Sequence, residues 1–138
     1  MCGKKILLVD DDPVFTRAMS MKLRVEGYDV MVAQDGSAAV SSLRQGRPDL
    51  VLLDIFFPPD VGHGGGVSWD GFLIMDWLRR VGGIEDAPVV FITAANPAEY
   101  AERARKSGAV GLFHKTEEPV ELIRLTHRLL DEPVGAGR

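Results

Sequence analysis

Five short apolar runs recur along the chain, and segments with helical periodicity separate them. Most of these runs are continuously apolar and do not alternate between apolar and polar residues. That pattern is typical of strands covered on both faces, as in a parallel sheet flanked by helices. It predicts strands at residues 5–9, 29–33, 50–53, 89–93 and 110–113.

The first segment between strands carries helix-boundary residues at both ends. Asp12 is a typical N-cap, Pro13 suits the first helical turn, and Gly27 is placed to end the helix. Apolar residues recur at helical spacing inside it, and we expect this stripe to face the core: Val14, Ala18, Met21 and Val25.

Similar boundary residues predict four further helices. They span residues 37–45, closed by Gly46; residues 70–81, with Ile74, Leu78 and Val81 on one side; a segment from Asn96-Pro97 to Ser107, before Gly108; and residues 119–131. Five strand–helix pairs in succession predict an α/β three-layer sandwich, with helices on both faces of one parallel sheet. We expect the strand order 2-1-3-4-5, which places a ligand site beyond the carboxyl ends of the first and third strands.

Composition narrows this picture only slightly. With 138 residues, 46% of them hydrophobic, the chain has room for one domain, expected over residues 4–131, with 132–138 as a tail or the start of a linker. No apolar run is long enough for a membrane span or a signal peptide, so we expect a cytoplasmic protein. The net charge of −4 gives no general attraction to nucleic acid or anionic membranes.

Carboxylates follow two of the predicted strands. Asp10, Asp11 and Asp12 come directly after the first strand, and Asp54 follows the third. Because Asp12 is needed as the N-cap, the chemical candidates are Asp10, Asp11 and Asp54. Carboxylates that converge in this way repel one another unless a cation is present, and Mg²⁺ is a cation that prefers oxygen ligands.

Two more polar groups belong to the same edge of the sheet. Strands four and five end near Thr93 and Lys115, which add a hydroxyl and an ammonium group. With a metal, they suit a phosphoryl group, because the metal and the lysine neutralise its oxygens, Thr93 hydrogen-bonds one of them and a carboxylate acts as the nucleophile. Each residue alone has an ordinary structural explanation, but four strands that end in groups suited to one task favour the chemical one.

These residues resemble the receiver domain of two-component response regulators, from about residue 4 to 130. The segments that carry the resemblance occur in the family's order: ILLVDDDP, LVLLDIFFP, VVFITAA and GAVGLFHK. The resemblance implies a flavodoxin-like fold and a histidine-to-aspartate phosphorelay, in which Asp54 is the phosphoacceptor. The other site residues that it implies are the Mg²⁺ ligands Asp10, Asp11, Asp54 and the backbone carbonyl of Phe56, and the phosphate-binding and switch residues Thr93, Ala94 and Lys115.

The resemblance also implies partners. A sensor histidine kinase or a phosphotransfer protein would donate the phosphoryl group, and the chain would not be an enzyme beyond slow autodephosphorylation, because Phe56 and Ala95 bring no polar group that orients water. Phosphorylation would shift the face formed by the fourth helix, fifth strand and fifth helix. That face would serve a downstream protein, an output domain outside this segment, or a homodimer, with no direct binding of this segment to nucleic acid or membranes.

The chain departs from the family pattern in three places. Leu112 stands at the usual aromatic switch position, and Thr116 follows Lys115 where the family usually has proline. Because a cis bond before a residue other than proline is costly, we expect a trans peptide and a different Lys115 loop. The loop at residues 58–69, with three consecutive glycines, is longer than usual, and we hypothesise a role in partner specificity, with a tolerated surface insertion as the alternative.

Two other functions remain open from the sequence. The residues from Asp10 to Val14 also fit the D-x-D-x-V start of haloacid dehalogenase-type phosphatases, with Asp10 as nucleophile and Asp12 as acid/base. That alternative leaves Asp54 unexplained and lacks the later acidic pair that those enzymes need. The second alternative is a degenerate receiver that binds a partner constitutively. Leu112 and Thr116 favour it, and the complete set of acidic residues argues against it.

Overall fold

The computed structural model describes residues 3–55, 71–80, 87–94, 98 and 100–130. Strands and helices alternate along these residues, in agreement with the predicted pattern. The elements are β1 (Lys5–Val9), α1 (Pro13–Val25), β2 (Asp29–Ala33), α2 (Gly36–Gln45), β3 (Leu50–Asp54), α3 (Gly71–Arg80), β4 (Val89–Thr93), α4 (Ala101–Lys106), β5 (Gly111–His114) and α5 (Pro119–Leu130).

The strands form one parallel sheet in the order β2-β1-β3-β4-β5, which confirms the predicted topology. Val9 lies opposite Leu53, so that β1 and β3 end side by side. Thr93 lies opposite His114 in the same way at the ends of β4 and β5. The winding of the chain reverses between β1 and β3, and the residues that follow these strands share one edge of the sheet.

The continuously apolar strands supply two separate hydrophobic cores. Successive side chains of a strand point to opposite faces. Leu53 and Phe91 therefore enter a core shared with α2, α3 and α4, whereas Leu52 and Ile92 enter a core shared with α1 and α5. Both faces of the sheet are covered, which is why these strands lack polar alternation.

The prediction that the apolar stripe of α1 faces the core is wrong. Val14, Met21 and Val25 are 77%, 60% and 83% exposed. The residues that face the core are instead Thr16, Met19, Ser20 and Leu23. The two hydroxyl groups can be buried because each donates a hydrogen bond to a carbonyl three residues back, Thr16 to Pro13 and Ser20 to Arg17.

The boundaries of α1 agree with the sequence. The Asp12 carboxylate accepts hydrogen bonds from Val14 N at 3.0 Å and Phe15 N at 3.2 Å, which makes it the N-cap. Gly27, just after the helix, has a φ of +100°, a left-handed conformation that glycine adopts without strain. This capping fixes the direction in which the chain leaves the acidic residues after β1.

Other element boundaries differ by one or a few residues. β3 extends to Asp54, β5 spans Gly111–His114, and α4 begins only at Ala101. Several predicted features lie outside the described residues: Phe56, the loop at 58–69, Asp70, Val81, the Ala95-Asn96-Pro97 segment and residues 131–138. Among the helices that the structure describes, none combines the length and the apolar character that a membrane crossing requires.

Candidate metal-binding site

The acidic residues after β1 are held by short-range hydrogen bonds. Asp10 is fully buried, and its backbone N–H donates to Ala33 O at 3.0 Å. Its Oδ1 accepts a hydrogen bond from Asp12 N at 3.0 Å, a local turn that aspartate side chains commonly form. The Asp10 carboxylate is therefore held by the backbone of Asp12, two residues later, and the Asp12 carboxylate caps α1.

Asp54 is the last residue of β3, the strand next to β1, and its side chain is 5% exposed. Carboxylate oxygens of Asp10, Asp11 and Asp54 all lie within 4.8 Å of one another. The predicted convergence of these residues at the edge of the sheet is therefore confirmed. Phe56, the expected fourth ligand, lies outside the described residues.

Lys115 directly follows β5 and reaches across to these carboxylates. Its Nζ lies 2.7 Å from Asp10 Oδ2 and 3.3 Å from Asp54 Oδ2. The ammonium also lies 4.9 Å from the centre of the Phe15 ring, at the start of α1. The side chain is only 14% exposed, so its charge acts on the carboxylates with little screening by water.

Thr93 ends β4 and is fully buried, and Ala94 follows it as an exposed residue. The backbone oxygen of Thr93 accepts a hydrogen bond from Lys115 N at 2.8 Å. This bond ties the residue after β5 to the end of β4. Thr93 and Lys115 thus lie at the ends of neighbouring strands, at the edge of the sheet where the carboxylates lie.

Burial and neighbouring charges shift two pKa values at the site. Burial, followed by the negative charge of Asp10, raises the pKa of Asp11 above its ordinary 3.8. Burial by itself would lower the pKa of Lys115, but the close contact with Asp10 and the additional charge of Asp54 raise it above 10.5. Among the described residues the site is therefore short of positive charge, with one ammonium facing three carboxyl groups.

The donor atoms suit a hard divalent cation. Mg²⁺ binds oxygen ligands at about 2.0–2.1 Å, which puts oxygens on opposite sides of the ion about 4.2 Å apart. The three carboxylates lie within 4.8 Å and need only a small movement to meet that spacing. In addition, Asp10 Oδ2 is buried and accepts no well-aligned hydrogen bond from the described residues, although it is ion-paired with Lys115. Asp10, Asp11 and Asp54 therefore fit Mg²⁺.

The structure describes Leu112 and Thr116, two of the places where the chain departs from the family pattern. Leu112 packs beside the core that contains Phe91, on the α4 side of the sheet, whereas the adjacent Phe113 is buried in the opposite core. Phe113 therefore cannot replace an aromatic residue at position 112. No cis peptide bond occurs in the described residues, so the bond before Thr116 is trans as expected.

Two features of the site were missed by sequence reasoning. Gly71, at the start of α3, donates from its N to Ile55 O at 2.7 Å, and a Cβ at this position would lie 2.3 Å from Asp54 O. His114 accepts a hydrogen bond from Thr116 N beside Lys115. Glycine at the start of a helix and an isolated histidine are both common, so neither residue type by itself indicated a role at the site.

Residues 6–127 match the family described as the response regulator receiver domain. The chain belongs to this family. It is 36% identical over 134 residues to the DNA-binding response regulator MtrA of Mycolicibacterium smegmatis, which covers 94% of this chain and 54% of that protein. It is 32% identical to the DNA-binding dual master transcriptional regulator RpaA of a Synechocystis species, over 91% of this chain and 48% of that protein. This receiver domain thus spans about half the length of these curated relatives.

Solved structures of receiver domains share its fold. The chemotaxis protein CheY4 of Vibrio cholerae is 25% identical with a TM-score of 0.79, over 94% of this chain and 100% of that one. The receiver domain of sensor histidine kinase PA1611 of Pseudomonas aeruginosa is 27% identical with a TM-score of 0.76, over 95% of this chain and 100% of that one. That structure has a magnesium ion coordinated in its active-site cleft.

Family membership decides against the phosphatase alternative. That function needs Asp12 as acid/base, and in this receiver domain the Asp12 carboxylate accepts two backbone hydrogen bonds as the cap of α1. The receiver assignment also accounts for Asp54, which the phosphatase alternative leaves without a role. The chain is thus a receiver domain of a two-component system.

Proposed function

We propose that Asp54 accepts a phosphoryl group from a sensor histidine kinase or a phosphotransfer protein, in a Mg²⁺-dependent reaction. The main support is the meeting of three carboxylates and one ammonium, with Lys115 Nζ at 2.7 Å from Asp10 and 3.3 Å from Asp54. Asp10 is fully buried and bound at Oδ1 by Asp12 N, whereas the Asp54 side chain retains 5% exposure. Asp54 is therefore better placed than Asp10 to act as the nucleophile, the role that the family implies for Asp54.

In the proposed reaction a carboxylate oxygen of Asp54 attacks phosphorus. The bond between phosphorus and the donor's imidazole nitrogen breaks, and its electron pair stays on that nitrogen. When bound, Mg²⁺ would be held by Asp10, Asp11 and Asp54, with the carbonyl of Phe56 as the further ligand that the family implies, and it would supply positive charge that neutralises the transferred group. Lys115 moves its ammonium from the carboxylates to one phosphoryl oxygen, and the Thr93 hydroxyl donates a hydrogen bond to another, beside Ala94.

The proposed output is a population shift of the face formed by α4, β5 and α5. Thr93 is in register with His114 on β5, so a contact to phosphate at Thr93 acts directly on that strand. Leu112 lies on the α4 side and would respond by repacking and not by rotation of an aromatic ring. That face would then be available to a second copy, a downstream protein or an output domain.

We also place the receiver domain at residues 4–131, followed by a tail or linker at 132–138, in the cytoplasm. The chain spans about half of the two curated relatives described above, and both are named DNA-binding regulators. An output domain beyond this segment is therefore part of the proposal. Catalysis by the domain itself is limited to slow autodephosphorylation, which predicts a phosphoprotein lifetime longer than seconds.

The test is phosphorylation by acetyl phosphate with and without Mg²⁺, with the modified residue mapped by mass spectrometry. We expect modification at Asp54 that requires Mg²⁺ and disappears in Asp54→Asn. Asp12→Asn is the matched control, because asparagine caps a helix as well as aspartate does. Modification at Asp10, or its loss in Asp12→Asn with the fold intact, would support the phosphatase instead, and no modification at all would support the degenerate receiver.

A further inference from the structure

The residues around Lys115 form a tight turn at the end of β5. Glu117 N donates to His114 O at 2.9 Å, so that Lys115 and Thr116 are the two central residues of the turn. The Glu117 carboxylate accepts a hydrogen bond from His114 N at 3.0 Å, which closes the turn a second time. The backbone on which the Lys115 side chain stands is therefore held from both ends.

The His114 imidazole holds the middle of this turn. Thr116 N donates to His114 Nδ1 at 3.2 Å, and Thr116 Oγ1 contacts the same nitrogen. A backbone N–H can only donate, so Nδ1 must be the acceptor and the proton of the neutral ring lies on Nε2. Thr116 has an N–H that a proline at this position would lack, and His114 supplies its partner.

Thr116 is adjacent to Lys115, whose ammonium contacts both buried carboxylates. Lys115 has a long side chain with several rotatable bonds, so the position of its Nζ depends on the position of its backbone. Its Nζ must reach Asp10 Oδ2 at 2.7 Å and Asp54 Oδ2 at 3.3 Å. Loss of an anchor in the turn would let the backbone of Lys115 move, and displacements of about 1 Å at a reacting group reduce rates substantially.

We propose that His114 is a positioning residue for Lys115, acting through its hydrogen bond with Thr116 N. This inference rests on the proposed function, because it assigns His114 to the phosphorylation of Asp54. His114 touches neither the carboxylates nor the phosphoryl group in this scheme. It keeps the turn in the conformation that aims the ammonium at the site.

The test compares two substitutions of nearly equal shape. In His114→Asn the side-chain oxygen can accept from the N–H two residues later, as asparagine commonly does in turns. In His114→Leu the side chain is similar in size but has no acceptor. We expect His114→Leu to slow phosphorylation of Asp54 by acetyl phosphate about tenfold, whereas His114→Asn stays within about twofold of the unmodified protein.

Two further measurements separate positioning from a general loss of structure. Amide hydrogen exchange at Thr116 should be slow in the unmodified protein and in His114→Asn, and fast in His114→Leu. Mg²⁺ affinity, measured by calorimetry, should not weaken in His114→Leu, because the three carboxylates are unchanged. Weaker Mg²⁺ binding in that variant would indicate a loosened site and would overturn the positioning role.

The proposed function and this inference fail in different ways. If the wild-type protein accepts no phosphoryl group on Asp54, the proposed function is wrong. If the wild-type protein is phosphorylated on Asp54, but His114→Asn and His114→Leu are phosphorylated at the same rate as each other, His114 does not act as an acceptor for Thr116 N. Equal rates with equal Thr116 exchange would reject the hydrogen bond itself.

Discussion

Lys115 Nζ lies closer to Asp10 Oδ2, at 2.7 Å, than to Asp54 Oδ2, at 3.3 Å. The ammonium thus pairs most tightly with a residue that is fully buried at the end of β1. Because Asp10 is inaccessible to water, hydration cannot stabilise its carboxylate if that cation is lost. We therefore expect the loss of either partner of this ion pair to lower stability, apart from the role of the pair in the proposed phosphoryl site.

Lys115→Met should destabilise the fold without Mg²⁺, because it leaves buried carboxylates unpaired. We expect a loss of about 3 kcal/mol in the free energy of unfolding at pH 7, measured by urea denaturation in EDTA. Added Mg²⁺ should restore part of it. Lys115→Arg retains the charge and is the control, and an unchanged stability of Lys115→Met would show that the pair contributes nothing.

The raised pKa of Lys115 predicts a stability change at alkaline pH. The folded state holds the proton more tightly than the unfolded state, whose lysine titrates near 10.5. The stabilisation is complete below that pH and is lost as pH rises through the higher folded pKa. Urea denaturation from pH 8 to 12 should show a smaller alkaline decline in Lys115→Arg, since arginine stays charged. Parallel declines would contradict the assignment.

The raised pKa of Asp11 has the opposite consequence. An ionised Asp11 opposes folding, because the folded state prefers its protonated form. In EDTA at pH 7, Asp11→Asn should therefore be more stable than the unmodified protein, by less than about 1 kcal/mol because the residue is partly exposed. The advantage should vanish as pH falls through the raised pKa towards 3.8. Saturating Mg²⁺ should reverse the order, and a destabilised Asp11→Asn in EDTA would refute this account.

Gly71→Ala should distort the end of β3. Its Cβ would lie 2.3 Å from Asp54 O and 2.9 Å from Ile55 Cα, and backbone cannot give way as a side chain can. We expect a loss of about 1–3 kcal/mol in stability together with slower phosphorylation of Asp54. Gly36→Ala is the matched control, because its Cβ would meet only the Trp77 ring and Ile74 side chain, at 3.1 Å and beyond. Equal effects of the two substitutions would argue against a role for Gly71 at the site.

The two faces of α1 should respond very differently to truncation. Leu23 is fully buried, and Leu23→Ala should lower the free energy of unfolding by about 2–5 kcal/mol. Met21→Ala and Val25→Ala change exposed side chains and should stay within about 0.5 kcal/mol. Thermal or urea denaturation of the three variants distinguishes them. A large loss for Val25→Ala would place the core on the face that the apolar spacing alone suggests.

The case of α1 shows where reasoning from hydrophobic spacing fails. Its apolar stripe has regular helical spacing, yet the opposite face carries the core contacts through Met19 and Leu23. Thr16 and Ser20 look polar in the sequence, but their hydroxyls are satisfied by carbonyls of their own helix. Such residues can be buried at low cost, and only the packing of the helix reveals it.

The sequence by itself determined the order of strands and helices, the topology of the sheet and the polar residues that end its strands. These follow from local signals, because apolar runs, N-caps and glycines act within a few residues of one another, and parallel strands bring their carboxyl ends to one edge. Only the tertiary structure decided that α1 buries its mixed face, that Lys115 pairs more closely with Asp10 than with Asp54, and that His114 anchors the turn beneath Lys115. Those outcomes depend on distances between residues far apart in the chain, or on side-chain geometry within a turn, which no spacing of residue types encodes.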